Sequence, residues 1–313
     1  MRDTRYPRLL AFAQLLRIPN VFTAFADICM AGAATGAITE RPEAFGLVLL
    51  ASGCLYLGGM VWNDVFDRAE DAKVRGFRPI PSGRVSVRTA VVLGIVLMAA
   101  GIGLAWVASQ EFAPNRKGTW SGRHVPVNVA VLLAVAILLY DAWLKRTPVG
   151  PVGMGLCRFL NVFLGLSATG FPGLPEPFAF HLAAVIGVYI VGVTWFARTE
   201  EAASNRRQLV LAACVMLAAV GLAVAVPVHL PVGSSPWFFP YLLVGFGFIV
   251  GVPVVRAIDR PQPKFVQAAV KRSILGLVVL DAVLATAFVG LPGLLILLLL
   301  LPAAWLGKWV YST

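Results

Sequence analysis

Ten long apolar runs, each near the roughly 20 residues that carry an α-helix across a bilayer, constrain this chain more than any other feature. They fall at about residues 21–38, 44–63, 88–108, 126–143, 149–170, 179–197, 208–228, 237–258, 272–290 and 291–309. Only Gly-Leu-Pro-Gly separates the last two, so the sequence allows nine or ten spans. Segments of this length satisfy their backbone in lipid only as helices, and the alternating pattern of a β-barrel strand is absent. The expected fold is all-α, a polytopic bundle of nine or ten transmembrane helices without a separate soluble domain. Composition agrees: 13% of residues are charged, against about 25% in soluble domains.

Lysine and arginine placement orients the bundle. With the N-terminus in the cytoplasm, one side collects Arg68, Lys73, Arg75, Arg78, Arg84, Lys145, Arg146 and most other cations, while the opposite side holds Arg41, Arg116, Lys117 and Arg123. That asymmetry follows the positive-inside rule and fits a multi-pass protein of a bacterial inner membrane. The net charge of +11 then faces anionic headgroups of membrane lipids or a phosphorylated ligand. Nucleic acid is excluded as a partner, because the basic residues are dispersed over separate membrane-bounded segments. Neither the four cysteines nor the three histidines have metal-ligand spacing.

The second apolar run ends in Asn-Asp-Val-Phe-Asp-Arg-Ala-Glu-Asp, residues 63–71. Asp64, Asp67 and Asp71 are spaced i, i+3, i+7, which places them on one helical face if the second span continues through them. Carboxylates about 5.5 Å apart repel by roughly 3 kcal/mol at an effective dielectric of 20, so the cluster calls for a cation. Hard carboxylate oxygens suit Mg²⁺, which is commonly held by one or two carboxylates plus substrate phosphates. Lys73, Arg78 and Arg84 follow closely and suit the remaining anionic charge. Acids then bases at a membrane surface point to a diphosphate with a lipid tail. A solvated loop in which acids merely neutralise arginines is the competing reading of the same residues.

The stretch from Asn63 to Asp71 resembles the NDxxDxxxD signature of the UbiA superfamily of intramembrane prenyltransferases at every specified position. Arg78, Pro79, Ser82 and Gly83 resemble that family's RPxxSG segment, Leu-Leu-Arg-Ile-Pro-Asn its entry into the first span, and the segment from Tyr140 to Arg146 the end of its fourth. The resemblance implies that residues 1–313 form a single UbiA-like transmembrane domain, with helices around a central cavity open to lipid. It implies transfer of a polyprenyl group from a prenyl diphosphate to a lipophilic acceptor, with Mg²⁺ as cofactor. Asp64, Asp67 and Asp71 would be the catalytic metal ligands. Asn63, Arg78, Lys145 and Arg146 would contact the diphosphate, joined by Lys73 and Arg84 on the strength of their charge beside the acids, with Tyr140 at the cavity rim. Family enzymes carry a second aspartate motif after the sixth span; here that segment offers Glu200 and Glu201, whose side chains diverge by about 100° on a helix. The wording of several spans looks closest to the divergent EboC-like subgroup. Membership there leaves open a non-catalytic role assisting transport or export of a hydrophobic metabolite.

Charged groups inside apolar runs cost roughly 2.5–3.5 kcal/mol each on insertion scales and should face protein or a wet cavity. Asn20, Asp27, Arg158 and Asn161 are expected to line the substrate cavity, and Asp281 to be a structural partner. Phe22, Phe25, Trp62, Phe66, Trp143, Phe159 and Phe163 lie near the cavity landmarks. At most one or two of them are expected to face a carbocation, since packing or interface anchoring is the commoner role of an aromatic residue in a membrane helix.

Overall fold

The computed structural model describes residues 7–111, 124–169, 176–198, 205–231 and 233–310. Its helices are α1 Pro7–Leu16, α2 Val21–Thr35, α3 Ala37–Glu40, α4 Pro42–Val74, α5 Val87–Gln110, α6 Val125–Ala142, α7 Gly150–Leu166, α8 Glu176–Ala197, α9 Arg206–Val224, α10 Phe239–Asp259, α11 Pro263–Val289 and α12 Leu300–Val310. Among the described residues ten helical segments are long and apolar enough to cross a membrane. Ten is therefore the count that the sequence left open against nine.

The last two spans are distinct because Gly290 takes the left-handed φ of +68°, which ends α11. A 3₁₀ segment, Leu291–Leu299, then turns back along it. Gly293 permits that approach: a Cβ there would lie 2.6 Å from the Thr286 backbone nitrogen. The first span is also broken. Arg17 has φ +47° between α1 and the 3₁₀ turn Ile18–Asn20, and this places a positively charged side chain where the chain bends.

Burial sorts the spans into an inner and an outer set. In the most apolar windows, 67% of residues are buried in α11 and 61% in the α7 and α8 spans, against 28% in α5 and α10 and 22% in the final span. The outer helices present Trp106, Leu217, Phe248 and Trp305 outward, as a lipid-facing surface requires. Close packing of the inner helices depends on small residues: Gly155 of α7 meets Gly187 of α8 so tightly that a Cβ on Gly155 would sit 2.7 Å from the Gly187 carbonyl oxygen. The resulting cores join α2 to α7, α8 and α11 on one side and to α4, α5 and α6 on the other.

Candidate functional site

α4 does continue through the acids, as a 33-residue helix ending at Val74. Asp64 and Asp71 are buried on it, and Asp67, one turn from Asp64, is partly covered. Cations from three separate elements converge on these acids. Arg17, at the break before α2, reaches Asp64 at 2.8 Å and the side-chain amide oxygen (Oδ1) of Asn63 at 3.4 Å. Arg78 reaches Asp71 at 2.6 Å and Asp64 at 3.4 Å through one nitrogen, Nη1. Lys145 and Arg146, on the turn after α6, hold the two oxygens of Asp67 at 2.7 and 3.0 Å.

Local sequence explains how these cations arrive. After α4, Gly83 turns with φ +74°, the Ser82 hydroxyl donates to the Arg78 carbonyl oxygen, and the Val85 N–H donates to that of Pro79. Ile80 and Val85 anchor this turn in a small core with Leu15, Val61 and Val65. Ser86 then caps α5 by accepting from the Thr89 N–H at 3.0 Å. The Leu144–Arg146 turn is clasped by Arg198, whose guanidinium donates to the carbonyl oxygens of Lys145, Thr147 and Pro148.

Behind the acid cluster lies a cavity of about 280 Å³ lined from six helices: α2, α4, α6, α7, α8 and α11. Arg17, Asn20, Tyr140 and Asp141 line it, as do Tyr56, Arg158 and Asn161; Leu133, Ile137, Ile190, Val193 and Leu277 are among its apolar walls. Asp141 accepts from the Asn63 amide at 3.0 Å and lies 4.0 Å from Lys145, which joins the cavity to the acid cluster. In the wall, Arg158 donates to Asp27 at 3.0 Å and to the Thr23 hydroxyl at 2.7 Å, and its guanidinium lies 5.3 Å from the centre of the Tyr56 ring. One end of the cavity is thus charged and balanced, and the rest is apolar with an arginine–amide patch.

A family model described as the UbiA prenyltransferase family matches residues 20–271. The chain belongs to that family. Among curated relatives of this UbiA-family chain, the digeranylgeranylglyceryl phosphate synthase of Methanopyrus kandleri is 31% identical over 175 residues, 55% of this chain and 58% of that protein. The synthase of the same name from Halobacterium salinarum is 27% identical over 279 residues, 83% of this chain and 91% of its own. Several such matches, including that of Methanopyrus kandleri, span only about half the relative's length. A solved structure described as a digeranylgeranylglyceryl phosphate synthase in membranes superposes with a TM-score of 0.66 at 17% identity, covering 91% of this chain and 99% of its own. A UbiA homologue from Archaeoglobus fulgidus bound to DMAPP and Mg²⁺ superposes with a TM-score of 0.59 at 18% identity, covering 87% and 98%. These two structural likenesses establish the fold.

Within this UbiA fold, Asn63, Asp64, Asp67, Asp71, Arg78, Lys145 and Arg146 come together, and Asn20, Tyr140, Arg158 and Asn161 line the adjoining cavity. Two expected contacts do not join them. Lys73 is exposed in the last turn of α4. Arg84 turns instead toward Gln14, Ser82 and the Phe77 carbonyl oxygen, because its turn presents it on the opposite side from Arg78. Glu200 and Glu201 lie outside the described residues. Asp27 is fully buried behind Arg158 and Asn161, not in the cavity wall.

The expected aromatic lining differs too. Trp62 stacks on Phe66, Phe159 on Phe163, and Phe22 meets Phe25 edge-on, while Trp143 is 65% exposed. The rings in the cavity wall are Tyr56 and Tyr140. Sequence reasoning passed over Arg17, Tyr56 and Asp141 as site residues. For Arg17 the available signal was the Arg-Ile-Pro-Asn break, and for Asp141 its place directly after Tyr140.

Proposed function

We propose that this UbiA-family protein transfers a prenyl group from a prenyl diphosphate to a lipophilic acceptor, with Mg²⁺ as cofactor. The observation that carries this reading is the balanced cluster at the cavity mouth, where four acids (Asp64, Asp67, Asp71, Asp141) meet four cations (Arg17, Arg78, Lys145, Arg146). Such a cluster exceeds what folding needs, since a buried ion pair is weak support for stability.

The residues present fit Mg²⁺. One guanidinium nitrogen, Arg78 Nη1, already lies within ion-pair reach of carboxylate oxygens from both Asp64 and Asp71. Those two acids therefore accept a single positive centre between them. No three carboxylates converge into a closed cage among the described residues, as suits an ion that takes its remaining ligands from substrate phosphates and water. Asp64 and Asp71 would hold it, while Asp67, expected as a third ligand, pairs with Lys145 and Arg146 one turn away; Mg²⁺ when bound would neutralise charge that develops on the departing diphosphate.

The protein's own groups do the rest. Arg78, Lys145, Arg146 and Arg17 exchange carboxylate partners for diphosphate oxygens, offering fixed donors where negative charge grows. Asn63 holds Asp141 in register with the cluster. Leu133, Ile137, Ile190, Val193 and Leu277 receive the prenyl chain and exclude water from the allylic carbon. Asn20, Arg158 and Asn161 supply polar contacts for the acceptor. A glycerophosphate already bearing one prenyl chain is the favoured acceptor class, because the relatives are named digeranylgeranylglyceryl phosphate synthases and Arg158 suits an anionic headgroup. The distribution of lysine and arginine favours an N-terminus and acid cluster on the cytoplasmic side of the membrane.

The test is product formation by full-length protein in lipid nanodiscs, supplied with geranylgeranyl diphosphate, Mg²⁺ and geranylgeranylglyceryl phosphate. Mass spectrometry should show an acceptor heavier by one geranylgeranyl group. Donor binding with no diphosphate release, in the presence of this acceptor or a total lipid extract, would contradict the reading and favour a carrier built on the same fold.

A further inference from the structure

Deep in the bundle, at α2, α7 and α11, a second polar group lies apart from the acid cluster. Asp27 and Asp281 are both 0% exposed, on α2 and α11, which pack against each other, and each carboxyl feels the other. Asp27 Oδ2 receives Arg158 at 3.0 Å and Asn161 at 2.8 Å. Asn161 in turn accepts from the Ser52 hydroxyl at 2.6 Å. Asp27 Oδ1 and both oxygens of Asp281, by contrast, meet no N–H or O–H donor among the described residues.

The neighbours leave few ways to satisfy three such oxygens. From α8, the Tyr189 hydroxyl is already committed to the Ser273 carbonyl oxygen at 2.8 Å. From α4, Tyr56 offers its ring face to Arg158. From α2, Cys29 is the remaining titratable neighbour. Arg158 is the one cation in the group and compensates a single carboxylate. A second ionised carboxylate in a membrane interior, without a donor and beside the first, costs several kcal/mol. Three free oxygens are also too few for a hard metal ion, which takes about six. A proton fits: an O–H of Asp281 directed at Asp27 Oδ1 gives both unpaired faces a partner and leaves the group electrically neutral.

We propose that Asp281 is a positioning residue that keeps its proton and donates it to Asp27, so that Asp27 fixes the Arg158 guanidinium at the cavity wall for the anionic end of the acceptor. The acceptor clause rests on the function proposed above; the proton does not. With Nη1 on Asp27 and Nη2 on Thr23, both hydrogen bonds of the guanidinium come from α2 while the Tyr56 ring of α4 lies against it, and its other N–H groups remain for the cavity. Asp281 thereby ties α11, which also lines the cavity, to the orientation of a side chain on α7.

The test compares wild-type protein with Asp281→Asn, which keeps an N–H donor, and Asp281→Leu, which has none. Infrared difference spectra of wild type against Asp281→Asn should show a protonated-carboxyl C=O band lost in the variant. Binding of geranylgeranylglyceryl phosphate should stay within about twofold in Asp281→Asn and weaken about tenfold in Asp281→Leu, the loss expected for one buried hydrogen bond. Mg²⁺-dependent binding of geranylgeranyl diphosphate should be unchanged in both. Absence of the band, or equal loss of acceptor binding in both variants, overturns the inference. If Asp281→Leu does not fold, the band and the Asp281→Asn affinity still decide it. The band together with no glycerophosphate binding by wild type contradicts the acceptor assignment and leaves the shared proton standing.

Discussion

Arg17 shows how one residue joins backbone strain to chemistry. It is the one non-glycine residue with positive φ among those described, and such strain persists where the surroundings over-determine it. Here the 2.8 Å pair with Asp64 supplies that constraint. We expect Arg17→Gly and Arg17→Ala both to weaken Mg²⁺-dependent prenyl diphosphate binding, as titrated by fluorescence. In thermal melts the glycine variant should be the more stable by about 1 kcal/mol, because only glycine relaxes at that φ. Equal melting of the two would show that the backbone is not strained there. At this scale the sequence was legible wherever spacing along one helix sets proximity: Asn63, Asp64, Asp67 and Asp71 follow from α4 alone. Arg17, Tyr56, Asp141 and the pairing of Asp27 with Asp281 depend on contacts between helices far apart in the chain. Lys73 and Arg84 misled because charge near a motif does not say which way a turn will point a side chain.

Among the elements, α4 and the α7–α8 pair do most to form the site. α4 runs without a break from Pro42, at the far end of its span, to the acid cluster, so its last three turns carry the carboxylates on a rigid support. α7 carries Arg158 and Asn161, and its distance from α8 is set at Gly155, where a Cβ would lie 2.5 Å from Val191 and 2.7 Å from the Gly187 carbonyl oxygen. Gly155→Val should therefore cost about 1–3 kcal/mol through overpacking. Gly221→Ala on exposed α9, where a Cβ meets nothing within 4 Å, should be neutral or stabilise by up to about 1 kcal/mol. Thermal unfolding in one detergent checks both, and a Gly155→Val variant as stable as wild type would refute the close-packing account. Most helix positions were legible to within a few residues because apolar run length is such a direct signal, but α4 continues to Val74 and α11 begins at Pro263, each about ten residues beyond its apolar run where charged turns extend the helix. The broken first span was not, since Arg17 and Pro19 interrupt a helix whose hydropathy continues on either side. Nor was the 3₁₀ return after Gly290, which rests on the contact of Gly293 with α11.

For the whole molecule, six helices line a largely apolar cavity, so that a water-labile reaction can proceed behind a charged mouth. Membership of the UbiA family was legible because its motifs are local and occur in order. The cavity's composition was not, and the aromatic residues expected there pair with one another or face outward while Tyr56 and Tyr140 line the wall. The claim at the centre of this account is that the acid cluster activates a prenyl diphosphate with Mg²⁺. The most direct measurement is diphosphate release from geranylgeranyl diphosphate by full-length protein, with Mg²⁺ and with chelator, beside Asp67→Ala, in the presence of geranylgeranylglyceryl phosphate. Asp67 is chosen because it holds both Lys145 and Arg146. The account predicts release that requires Mg²⁺ and falls at least about 100-fold in Asp67→Ala, as for loss of one electrostatic contact to a developing charge. Release that is indifferent to chelator, or unchanged in Asp67→Ala, would contradict it.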